Sequence, residues 1–65
     1  MIEINDIRIE ATEFKGNKYL SIRRWYEKDG QTLPSKKGIN LKPEEAKELL
    51  ENIDEVYKIV EEITS

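Results

Sequence analysis

Between Phe14 and Leu41 the chain reads FKGNKYLSIRRWYEKDGQTLPSKKGINL, a stretch carrying Lys15, Lys18, Arg23, Arg24, Lys28, Lys36 and Lys37, with Lys42 directly after it. Those eight cations are set among four of the five aromatic residues, Phe14, Tyr19, Trp25 and Tyr26. Cations along a groove neutralise the phosphates of a nucleic-acid strand, and aromatic rings stack on unpaired bases. Every base has such a face, so stacking of this kind is indifferent to sequence. The chemistry these side chains can do is the holding of a single strand. Catalysis has little to work with: the chain contains no His, no Cys and no glycine-rich phosphate loop. Glu44, Glu45, Glu48, Glu51 and Glu55 fall at spacings that describe the solvated face of a helix. No catalytic residue, metal site or cofactor is expected.

The net charge of −3 conceals an asymmetry. Met1 to Lys42 holds nine Lys/Arg against six Asp/Glu, whereas Pro43 to Ser65 holds two against eight. Salt screens charges beyond about 8 Å under physiological conditions, so an acidic helix on the far side of a domain scarcely weakens a basic face.

The elements that must position the cations follow from periodicity. Met1 to Glu13 alternates in two phases, Ile2 and Ile4, then Ile7, Ile9 and Ala11. That pattern is strand, with a bulge, a bend or a separate first segment at Asn5-Asp6. Gly16-Asn17 predicts a hairpin into a strand from about Lys18 to Tyr26, with Leu20 and Ile22 inward and Tyr19, Ser21, Arg23 and Trp25 on the other face. Arg24 and Tyr26 then fall on the core side, which implies a bulge near Arg24 or a strand end that clears the core. Asp29-Gly30 predicts a second hairpin, Pro34 ends the short return segment from Gln31 to Leu33, Ser35 to Gly38 forms a basic loop, and Ile39 to Leu41 is a short last strand. Gly38 would let that loop come close to a phosphate. From Pro43, at the first helical position, one helix of roughly 31 Å is expected to run to Ile63. Ala46, Leu49, Ile53, Val56, Val60 and Ile63 repeat at alternating spacings of three and four, widened by Leu50 and Tyr57.

An apolar stripe of that length exceeds what short strands can cover, and a 65-residue chain without cysteines has oligomerisation as its remaining staple. A homodimer is expected, with Ile53, Val56, Tyr57, Val60 and Ile63 at its interface. No secretory h-region and no apolar run of about 18 residues is present, which favours a cytoplasmic, nucleoid-associated protein without membrane contact.

The linked order of FKGNKYLSIRRWY, a DG turn and LPSKKGINLKPEEAKEL resembles the transcriptional positive cofactor four (p15 coactivator) family, over Phe14 to about Ile53. The resemblance implies an α+β fold of one domain over residues 1–65, a four-stranded curved antiparallel sheet followed by one long C-terminal helix. It implies a homodimer that binds single-stranded DNA. Carried over by position, Phe14 and Tyr26 match the family's stacking aromatics, Lys15, Arg23, Lys36 and Lys37 its backbone-contacting cations, and Gly38 the glycine of its basic loop. Trp25 stands beside the stacking position, where the family has another aromatic. Asn17, Leu33 and Thr12 replace basic residues of the eukaryotic form, partly offset by Lys18 and Arg24. The nucleic-acid-binding set is thus Phe14, Lys15, Lys18, Arg23, Trp25, Tyr26, Lys36, Lys37 and Gly38, in a short stand-alone member of bacterial type acting in transcription regulation or DNA maintenance. RNA or melted duplex as the ligand, contact with the transcription machinery, and a purely protein-binding dimer module are the other readings these residues allow.

Overall fold

The computed structural model describes residues 1–65. Strands β1 (Ile2–Ile4), β2 (Ile7–Phe14), β3 (Asn17–Lys28) and β4 (Gln31–Leu41) form an antiparallel meander in the order β1-β2-β3-β4, followed by helices α1 (Pro43–Glu51) and α2 (Ile53–Thr64). The two-phase pattern near the start resolves as a separate first strand: Ile4 pairs with Ile7 around a turn in which Asn5 takes a φ of 54°. Both later hairpins have positive φ at their two central residues, Lys15 and Gly16 (51° and 79°) and Asp29 and Gly30 (52° and 77°). Strands with a right-handed twist are joined most directly by such turns. The first of them is one residue earlier than the Gly16-Asn17 pair suggests, because Asn17 already pairs with Phe14.

Cross-strand register assigns the faces. Arg8, Glu10, Thr12 and Phe14 on β2 stand with Tyr19, Ser21, Arg23 and Trp25 on β3 and with Pro34, Gly38 and Asn40 on β4. The opposite face carries Ile2, Ile4, Ile7, Ile9, Leu20, Ile22, Leu33, Ile39 and Leu41. A groove opens on the first, polar face and makes it concave. Ser21, in its middle, is only 6% exposed although no layer covers it, while no apolar residue of the chain is fully buried.

Two expectations about β4 are corrected. Pro34 does not end a strand, and Ser35 to Gly38 is not a loop; β4 runs without a break from Gln31 to Leu41. Proline is tolerated because β4 is an edge strand, whose outward N–H groups need no partner. Between the pairs Arg23–Gly38 and Trp25–Pro34 the register shifts, so that Ser35, Lys36 and Lys37 lie against Arg24 alone. The anticipated irregularity at Arg24 is therefore a bulge on its partner strand. Ser35 closes it: its hydroxyl donates to the Arg24 carbonyl at 2.9 Å and accepts from the Lys37 N–H at 3.1 Å.

The single helix expected from Pro43 to Ile63 is also corrected to two. At Asn52 the backbone departs to φ −107° and ψ 20°, and the side-chain amide donates to the Glu48 carbonyl at 2.8 Å. The side chain thus shares the Glu48 carbonyl with the Asn52 backbone N–H, which reaches it at 3.1 Å, and such back-bonding to the carbonyl four residues earlier bends helices. α1 starts as expected with Pro43 in its first turn, and the side chain of Glu45 accepts from the Lys42 N–H at 2.9 Å, which compensates for the poor cap at Lys42. α1 lies against β3 and β4 on the apolar face; α2 touches α1 only.

Candidate nucleic-acid interface

The concave face is built around Trp25 and Arg23. Arg23 is half-buried, and its guanidinium donates to the Ser35 carbonyl at 2.9 Å and to Asn40 Oδ1 at 3.4 Å. The bulge on β4 supplies the first acceptor, so the irregular strand is what holds the arginine in place. A groove of about 450 Å³ opens there, lined by Glu10, Thr12, Ser21, Arg23, Trp25, Pro34, Ser35, Lys36 and Asn40. Glu10 is its one carboxylate, against the cations of Arg23 and Lys36.

Gly38 has a packing role in this arrangement. A Cβ on it would lie 2.7 Å from the Cα and Cβ of Arg23 and from the Ile22 carbonyl oxygen. Only a residue without a side chain lets β4 approach β3 closely enough to seat Arg23.

Phe14 is on the same face, 64% exposed at the hairpin end of β2, with the Lys15 ammonium 5.3 Å from its ring centre. Lys36 lines the concave groove, whereas Lys37 lines a small depression on the other side with Ile7, Ile22, Arg23 and Arg24. Lys18 and Tyr26 also alternate to the apolar side. Tyr26 nevertheless walls a second groove of about 390 Å³, which it shares with Trp25, Glu3, Asp6, Arg8 and Glu27 among others, and whose rim is drawn from β1, β2, β3 and β4. The structure therefore brings Phe14, Arg23, Trp25, Lys36 and Gly38 together on one face, puts Lys15 at its rim, and sets Lys18 and Lys37 apart.

Only two ion pairs form, Arg24 with Asp6 at 2.6 Å and Lys58 with Glu55 at 3.6 Å. Arg24 is thus committed to the β1–β2 turn, whose Asp6 carbonyl also accepts from the Trp25 N–H at 2.7 Å. The other cations of the sheet have no carboxylate partner. Arg8 belongs among them, although composition does not single it out: it stands directly across from Arg23, with its guanidinium 4.2 Å from the centre of the Trp25 ring. Its signal is a place on the polar phase of IRIE, but only the register puts it beside Trp25.

Residues 3–52 match the sequence model of the transcriptional coactivator p15 (PC4) family. The chain belongs to that family. The p15 (PC4) match runs from β1 through α1 and ends at the Asn52 bend, so α2 lies beyond it. Among relatives, the chain is 44% identical over 54 residues to an RNA polymerase II transcriptional coactivator of Drosophila melanogaster, an alignment covering 83% of this chain and 49% of that protein. It is 38% identical over 58 residues to the RNA polymerase II transcriptional coactivator KELP of Arabidopsis thaliana, covering 89% and 35% of the two. The chain thus spans about half of these p15 (PC4) relatives or less. A solved structure, the MoSub1–ssDNA complex in phosphate buffer, superposes with a TM-score of 0.84 at 25% identity, covering all of this chain and 78% of the other.

Proposed function

We propose that this protein binds single-stranded DNA with low sequence specificity, as a homodimer, in transcription regulation or DNA maintenance. The observation that carries the reading is the concave groove itself, where Arg23 and Lys36 surround Trp25 without an ion-pair partner. Unpaired cations beside an aromatic ring suit an anionic strand with unstacked bases. The likeness to a fold solved as a single-stranded DNA complex supports the same ligand.

The pairing of two copies is supported by surface area. The chain exposes 5857 Å², whereas a folded monomer of its mass exposes about 4,300 Å². The excess of about 1,500 Å² per chain falls in the range that obligate dimers bury. The exposed apolar residues of α2 support the same reading: Tyr57 is 68% and Ile63 76% exposed, Ile53 and Val60 are about half exposed, and Val56 alone is partly covered. Leu50 and Ile59 extend the same surface.

The test is a titration of Trp25 fluorescence with an oligo-dT of about 20 nucleotides and with a duplex of equal length, each at two salt concentrations. Quenching by the single strand, weaker with duplex and weaker at higher salt, is the expected result. Absence of any response from the folded dimer would overturn the reading.

A further inference from the structure

Arg8 and Arg23 face each other on neighbouring strands. Like charges in directly opposed positions destabilise a sheet, and natural sheets place opposite charges or aromatics there. Glu3, Asp6 and Glu27 line the groove that holds Arg8, but none of them forms an ion pair with it. Arg8 forms no ion pair, although Glu3 is its partner on β1, and its guanidinium donates no hydrogen bond to the protein. It is half-buried and held over the Trp25 ring at 4.2 Å. Stacking on an indole fixes the plane of a guanidinium while leaving its edge N–H groups free. Trp25 lines both the groove that contains Arg23 and the groove that contains Arg8, so the two sites are joined through one ring.

From this juxtaposition we infer that Arg8 is a further nucleic-acid contact. It forms with Arg23 a two-guanidinium clamp for a backbone phosphodiester, and it carries the bound strand from the β3–β4 groove across Trp25 onto β2. The inference rests on the single-strand reading above. A planar fork matches two phosphate oxygens at once, and a bridging phosphate converts the opposed arginines from a repulsive pair into a shared site. Arg23 is held by Ser35 and Asn40, and Arg8 by Trp25, so neither guanidinium has to be ordered when the strand arrives.

The experiment measures oligo-dT affinity over a series of salt concentrations for the wild-type protein, Arg8→Gln and Arg8→Lys. Arg8→Gln is expected to weaken binding several-fold and to make the logarithmic salt slope shallower by about 0.7, the value for one single-strand phosphate contact. Arg8→Lys should keep the slope and still bind less tightly, since a point charge replaces the fork. A purely structural role would shift the emission of Trp25 in free Arg8→Gln and leave the slope at its wild-type value; that result overturns the clamp. Failure of the wild-type protein to bind oligo-dT would instead overturn the single-strand reading itself. A second measurement needs no variant: an arginine-directed dicarbonyl reagent is applied to the wild-type protein with and without oligo-dT, and modification is read by mass spectrometry. Protection of Arg8 alongside Arg23 is expected, and modification of Arg8 at an undiminished rate while Arg23 is protected would reject the clamp.

Discussion

Gly38 and Lys36 lie two residues apart on β4 and do different work. The glycine is demanded by packing, because a methyl group there would meet the backbone of Arg23 and the Ile22 carbonyl at 2.7 Å. Gly38→Ala is expected to lower stability by about 1–3 kcal/mol, the usual range for a group forced into filled space. A fall in the midpoint of urea unfolding at unchanged slope would register it; a midpoint equal to wild type would mean that the strands part freely. The lysine is demanded by charge. Replacing Lys36 and Lys37 together by Ala should make the salt dependence of oligo-dT binding shallower by about 0.7 log units for each phosphate no longer neutralised. Since Lys36 lines the concave groove and Lys37 the other face, Lys36→Ala is expected to account for the larger share of the change. Equal slopes in the double variant and the wild type would remove this segment from the interface.

Among the elements, the ones written in local residue types are legible in the sequence and the ones decided by competition are not. Alternation in Lys18 to Tyr26 and the Asp29-Gly30 pair are enough to place β3 and its turn, and Pro43 is enough to start α1. The full length of β4 is not, because Pro34 breaks central strands but not edge strands, and edge position is a property of the whole sheet. The Asn52 bend is hidden by the apolar repeat, which continues across it. On the concave face, Arg23 and Trp25 can be placed from period-two spacing alone, whereas Arg8 needs the β2–β3 register, which no single strand encodes. The bend can be tested directly. Asn52→Ala removes the side-chain hydrogen bond to Glu48 and adds a better helix former, worth several tenths of a kcal/mol. Helical ellipticity should rise while association of two copies weakens, as α2 is carried out of line. Stronger helix signal with unchanged association, by sedimentation, would mean that the bend is incidental to pairing.

At the scale of the molecule, the chain is extended and leaves much apolar surface open. Its extents are 39 × 33 × 18 Å and its radius of gyration is 13.9 Å, against about 10.7 Å for a compact domain of this length. α2 packs on nothing except α1, and the apolar face of the sheet is only partly covered. A helix packed so lightly against its own chain is retained only if something else covers its apolar stripe, because short isolated helices are marginal in water. If a second copy is what covers it, folding and association are one equilibrium, and the melting temperature must rise with protein concentration. Val60→Asp places a carboxylate in the middle of that stripe. Burying it without a partner costs roughly 3–5 kcal/mol, a large part of the stability of so small a domain. The variant is expected to sediment as a monomer, to melt without a cooperative transition, and to lose oligo-dT affinity along with its fold. Glu61→Gln, one residue along the helix and exposed, should leave all three unchanged. A wild-type protein that melts at the same temperature over a hundredfold range of concentration would overturn the dimer, and the surface of α2 would then have to be covered by a different partner.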